Sequence, residues 1–175
     1  MAEVEIHAGH GHTDDVFSQR VGIMVGILGV LLSVVSILAH REHTAAILAR
    51  TQANDDWSYY QAKKIREHND QLAAMLLAAI GTDPGKIAGT GAKFTREGER
   101  YGLEAADLQN KANASEAASK RSEDRAVRFD LGEGFLELGV VMSSLYFLSH
   151  RRFFVAFGAL AALVGTAAGV FGLLG

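Results

Sequence analysis

The sequence predicts an all-α membrane protein: three transmembrane helices, with a long antiparallel helical hairpin between the first and the second. Three observations carry this. Residues 21–39 contain no charged side chain, and neither do residues 153–175. Residues 41–130, lying between apolar segments, hold 14 Lys or Arg against 14 Asp or Glu. The chain has a single proline, Pro84, and alanine-rich stretches that suit long helices. Blocks separated this sharply belong to an amphiphilic chain rather than to a soluble one with a mixed core.

Residues 1–20 form a polar N-terminal tail. Residues 21–39 read VGIMVGILGVLLSVVSILA. At ~1.5 Å per residue this run reaches about 28 Å, close to the hydrocarbon thickness of a bilayer. It is longer than a signal-peptide core and follows an acidic rather than a basic tail, so it is expected to remain as an anchor. Residues 153–174 form a second charge-free run of spanning length. Residues 131–149 are a weaker candidate because they carry Glu133 and Glu137. Starting that span at Gly134 leaves Glu137 near one interface. The link His150-Arg151-Arg152 makes a tight turn at one membrane face.

The arm, residues 40–130, lacks a helix breaker until Gly81, so the first helix is expected to continue out of the membrane. Gly81-Thr82-Asp83-Pro84-Gly85 is a turn signal. A second helix is expected from about Lys93 to Phe129, with Phe94, Tyr101 and Leu108 seven residues apart and Ala105 and Ala112 between them. That spacing is a coiled-coil seam. Gln71 to Ile80, QLAAMLLAAI, is too short to span and is expected to be buried where the hairpin tip meets a partner.

The first and third apolar runs share a pattern. Gly22, Gly26, Gly29, Ser33 and Ser36 follow steps of 4, 3, 4 and 3; so do Gly158, Ala162, Gly165, Gly169 and Gly172. Small residues along one face let helix backbones approach closely in lipid. A 3.5-residue period favours left-handed crossing. These positions are expected to pack helices together, within the chain or between copies.

The block Trp57-Ser58-Tyr59-Tyr60-Gln61-Ala62-Lys63-Lys64-Ile65 follows an apolar helix and a stretch like Thr44 to Asn54. It resembles an uncharacterised bacterial membrane-protein family known as domain of unknown function 4337. The likeness extends to the acidic, His-containing tail, the paired C-terminal spans and their Arg-rich link. The resemblance implies a bacterial inner membrane location and three spanning helices. It implies no activity and no catalytic residues. Glu137 stands where the resemblance leads one to expect an uncharged polar residue.

Four groups are candidate sites. His7, His10 and His12, with Asp14 and Asp15 behind them, combine imidazoles and carboxylates that suit a metal such as zinc, copper or nickel. The competing reading is a polar tail with incidental histidines. His40 and His43 continue the small-residue heptad to the membrane surface, where copies in a ring would titrate near neutral pH. The competing reading is an ordinary helix end. Glu137 is an ion-pathway candidate, because a carboxylate inside a span is costly and often functional. Its competing reading is a headgroup-level residue. Trp57, Tyr59 and Tyr60 lie too far beyond Ala39 for an aromatic belt, and are expected to knit the hairpin or a subunit interface.

No catalytic elbow, P-loop or dinucleotide loop is present, so a non-enzyme is expected and no cofactor is specified. The chain has no cysteine, which excludes disulfides and thiolate chemistry. A net charge of −3 argues against nucleic acid as partner. The expected partners are membrane lipid, further copies of the chain and, as an alternative, another membrane protein. Arg20, Arg151 and Arg152 on one face favour a cytoplasmic N-terminus by the positive-inside rule; Arg41, Arg50, Lys120, Arg121, Arg125 and Arg128 on the arm side oppose it. The leading functional expectation is a self-associating scaffold or accessory subunit. The alternatives are an oligomeric channel or ion-coupled component using Glu137, and a metal sensor using the N-tail.

Overall fold

The computed structural model describes residues 12–174, with side chains from Val16 onward. Within them the chain is helical throughout: α1 (His12–Ile80), α2 (Pro84–Ser149) and α3 (Arg152–Leu174). All three are long and apolar enough to cross a membrane. The chain divides into two compact units, one of residues 1–43 and 123–175, the other of residues 44–122.

The break between α1 and α2 is made by three residues. The Gly81 N–H reaches back to the Leu77 carbonyl at 3.0 Å and closes the last turn of α1. A Cβ on Gly81 would lie 2.6 Å from Cγ1 of Ile87, so no larger residue fits there. Asp83 caps α2: its Oδ1 accepts from the N–H groups of Gly85 at 3.0 Å and Lys86 at 3.2 Å. Pro84 takes the first helical position, where its missing N–H is not needed. This cap starts α2 at Pro84 instead of near Lys93; Gly85, Gly89, Gly91 and Gly98 are all carried inside the helix.

In the unit of residues 44–122 the two helical segments touch through small side chains. Ala46, Ala53, Ala105 and Ala112 are buried. The contacts run in opposite directions along the two segments. Ser119 donates to the Ala46 carbonyl, Trp57 to Glu116 and Lys63 to Glu104. A Cβ on Gly102 would meet the Glu67 carboxylate. In α2 the buried positions recur every seven residues, at Gly98, Ala105, Ala112, Ser119 and Ala126. Phe94, Tyr101 and Leu108 are only half-buried, so alanine rather than the large residues forms the contact. Gln71 to Ile80 departs from expectation. Met75 is 65% and Ile80 76% exposed, with Leu72 and Leu76 exposed beside them. The early part of α2 offers Gly85, Ala88, Gly89, Gly91 and Ala92, which have too little side chain to cover four large residues.

The unit of residues 1–43 and 123–175 has an apolar core of Leu28, Val35, Ala39, Phe129, Leu136 and Ala162. Its closest contact is between α2 and α3. A Cβ on Gly165 would lie 2.7 Å from the Gly132 carbonyl oxygen and 2.8 Å from the Leu136 nitrogen. A Cβ on Gly158 would lie 2.8 Å from the Gly139 carbonyl and 2.9 Å from the Ser143 nitrogen. The helices therefore meet backbone to backbone, as small residues allow. At the α2–α3 link, His150 adopts a left-handed φ of 53°, and its N–H closes on the Tyr146 carbonyl at 2.7 Å.

The stripe of α3 is buried throughout, at Gly158, Ala162, Gly165, Gly169 and Gly172, with Ala161 beside it. That of α1 is not. Gly22, Gly26 and Ser33 are exposed, and Gly29 and Ser36 are half-buried. A Cβ on Gly26 or Gly29 would meet nothing within 4 Å. The α1 face that packs within the chain carries Val21, Leu28, Val35 and Ala39.

Gly165→Leu is expected to destabilise this unit by about 3 kcal/mol or more, because the added atoms meet backbone that cannot yield. Gly26→Leu is expected to change stability by less than about 0.5 kcal/mol. Thermal unfolding of the two variants in detergent checks this, and equal melting temperatures would contradict it.

Candidate functional site

The side chains with chemical potential fall into two groups, one in each unit. In the unit of residues 44–122, Trp57 Nε1 donates to Glu116 Oε1 at 2.8 Å, and the Trp57 ring meets Tyr60 edge to face at 5.4 Å. Trp57 thus joins the two segments, with Tyr60 of its own helix packed against its ring, whereas Tyr59 is exposed. Nearby, Lys63, Arg66 and Arg100 surround the Tyr101 ring at 5.1, 5.8 and 4.9 Å. Glu104 accepts from Lys63 and lies 3.5 Å from Arg100. The hydrogen bond from Lys63, with the surrounding positive charge, holds the Glu104 carboxyl below its usual range. The hydrogen bonds that Lys64 and Lys111 donate to Glu67 and Asp107 hold both lysines in their charged forms to higher pH than usual. A cavity of about 340 Å³ is lined by Glu67, Gln71, Ala74, Met75, Thr95 and Glu99.

In the unit of residues 1–43 and 123–175, two side-chain pairs tie α1 to α2. His43 Nε2 meets both Asp130 carboxylate oxygens, at 3.2 and 2.9 Å. Arg125 donates to Glu42 at 3.0 Å. The His43 ring is therefore committed to α2 within the chain, while His40 is exposed. At the other end Phe17 packs edge to face on Tyr146 at 5.1 Å, and the Arg152 guanidinium sits 5.0 Å over Phe17.

Glu137 lies between these two ends. Gly22 faces Phe147, Val35 touches Gly169, and Gly169 backs onto Gly132. Residue 22 of α1 is thus beside residue 147 of α2, and residue 35 is level with residue 132. Interpolating between them puts Glu137 level with Leu31, at the middle of the charge-free run of residues 21–39. The packing of α2 on α3 begins before Gly134, where the sequence-based span starts, since Gly132 backs onto Gly165 and Gly169 and Phe129 onto Gly172. Glu137 is exposed, as are Gly134 and Val141 on the same face of α2. Beside it a shallow apolar groove of about 210 Å³ is lined by Asp130, Leu131, Gly134, Phe135 and Leu138. A charged side chain at the centre of a span costs about 3 kcal/mol on insertion scales, so a carboxylate there calls for a polar partner.

Glu137 is separated by this depth from His43, and the three ion-pathway candidates do not form one cluster. No group of three or more His, Asp or Glu suited to a metal ion occurs among the described residues. His7 and His10 lie outside the described residues, as does the side chain of His12. Sequence reasoning missed the α2 side of the closest contact. Gly132, Leu136, Gly139 and Ser143 follow the same steps of 4, 3 and 4 that mark the other two stripes, so the signal was present.

Three long apolar helices, with no strand among the described residues, place the chain in the class of all-helical proteins compatible with membrane insertion. The chain belongs to the family described as domain of unknown function (DUF4337), which it matches over residues 17–175. No curated protein and no solved structure matches it.

A depressed carboxyl contributes stability above its unfolded value and loses it as pH falls through the folded one. Glu104→Gln is therefore expected to lower the melting temperature slightly near neutral pH. The difference from wild type should shrink as pH falls below the ordinary carboxyl value of 4.5 and vanish below the lowered folded one. Melting curves across that range check this, and a difference that persists in acid would contradict it.

Proposed function

We propose that this chain is a non-enzymatic integral membrane protein that self-associates as a scaffold or accessory subunit. In this reading residues 21–39, 131–149 and 153–174 cross the membrane, and residues 40–130 form a helical hairpin outside it. The observation that carries the proposal is the unequal use of the small residues. The stripe on α3 is consumed inside the chain, whereas Gly26 and Gly29 on α1 have open space where a side chain would be. A glycine surface on a spanning helix favours close approach of another helix. The exposed Leu72, Met75, Leu76 and Ile80 add a second uncovered surface in the hairpin. Lipid and further copies are the partners this reading requires. A bacterial inner membrane and a cytoplasmic N-terminus fit the arginines Arg20, Arg151 and Arg152.

Glu137 favours a second reading, an oligomeric channel or ion-coupled component. A carboxylate at mid-depth on an outward face suits a path for ions between copies. Under that reading Glu137→Gln removes a measurable ion flux in vesicles, and a wild-type chain with no flux rules it out.

Native mass in nanodiscs tests the leading proposal. Several copies per particle are expected, with Gly29→Leu shifting the population towards single chains while leaving the melting of the chain itself unchanged. A monomeric wild type would overturn it.

A further inference from the structure

We propose that the Glu137 face of α2 docks against the glycine and serine face of α1 in a second copy of this chain. The inference deepens the self-association reading and rests on it. Four features fix the occupant. The first is depth. Copies inserted the same way round keep each residue at its own level, so Glu137 of one copy faces the level of Leu31 in its neighbour. Gly29 and Ser33 flank that level.

The second is closeness. Gly134 on α2 and Gly26 and Gly29 on α1 each have nothing within 4 Å of where a Cβ would be. At these levels the glycines stand opposite side chains, Gly26 opposite Val141 and Gly134 opposite Ser33, and each leaves room for the side chain that meets it. The third is polarity. Glu137 requires a hydrogen-bond donor in a layer where lipid tails supply none. The exposed Ser33 hydroxyl donates at present only to the Gly29 carbonyl of its own turn, at 2.9 Å. Rotation about χ1 re-aims it outward. The fourth is fit. Val30 and Ile37 border the α1 stripe and are exposed. They are the ridge that fills the groove at Gly134.

The two faces belong to different helices and point away from the same core. The contact is therefore head to tail, and repeating it gives a ring where the rotation between copies closes and an open row where it does not. Glu137 lies at every such joint, hydrogen-bonded between subunits.

The chain has no native cysteine, which makes cross-linking direct. Two differently tagged chains are co-expressed, one Val141→Cys and the other Gly26→Cys, which interpolation puts near the same depth. The proposal predicts an oxidant-induced disulfide between the tags, and none for Val141→Cys with Ile37→Cys, which lies at a different depth. Adding Glu137→Leu to the first pair should lower the cross-linked yield about tenfold, the loss of one hydrogen bond in a membrane interface. Glu137→Gln, which still bonds to a hydroxyl, should retain it. Absence of the 141–26 disulfide in a chain whose native mass shows several copies would overturn the interface and leave self-association standing. An undiminished yield with Glu137→Leu would overturn the part given to the carboxylate. A monomeric native mass would overturn the interface and the scaffold together.

Discussion

The contact between α2 and α3 is the constraint on which the unit of residues 1–43 and 123–175 depends. Gly132 and Gly139 on one helix face Gly165 and Gly158 on the other, closely enough that backbone atoms fill the space a side chain would take. In water such a contact would give little, because it buries few apolar atoms. In lipid, where hydrophobic burial does not drive helices together, dispersion between close backbones is a principal source of attraction. Leu136 and Phe129 are then locked between the glycines, and the core closes against Leu28, Val35 and Ala39 of α1. The unit of residues 44–122 uses a related device with alanine: Ala46, Ala53, Ala105 and Ala112 form its contact.

This arrangement divides the work among the small residues. The stripe of α3, from Gly158 to Gly172, has backbone and core beside it and is used up inside the chain. That of α1 lies away from its packed face and stays open. Glu137 likewise points away from the core, level with the middle of the charge-free run. A carboxylate and a glycine surface at one depth, on two different helices, are features a single copy leaves unused. The proposed self-association uses both. The tie of His43 to Asp130 and of Arg125 to Glu42 lies just beyond one end of the charge-free run of residues 21–39. Arg152 over Phe17 marks the other end.

Much of the helical content was legible in the sequence because charge-free runs and the Gly81–Gly85 turn are strong local signals. The alanines at 105 and 112 were legible as a seam for the same reason: a seven-residue step is visible without coordinates. Which face meets which was not. Steps of 4 and 3 occur in all three apolar stretches, and periodicity alone does not say that α3 pairs with Gly132 and Gly139 while the α1 stripe stays open. Glu133 and Glu137 lowered the apparent hydropathy of residues 131–149, which concealed the stripe there and pulled Glu137 towards an interface. The exposure of Met75 and Ile80 was hidden for a different reason. It depends on the small residues of the opposing segment, Gly85 to Ala92, a non-local fact.

The measurement that tests the account most directly is a cysteine-accessibility scan along α1, from residue 16 to residue 60, in sealed vesicles with a water-soluble maleimide. The account predicts protection through residues 21–39 and reactivity returning near His40, with a label at position 137 protected like one at position 31. Uniform reactivity across residues 21–39, or a position 137 as reactive as position 50, would contradict a membrane-embedded unit with Glu137 at its centre.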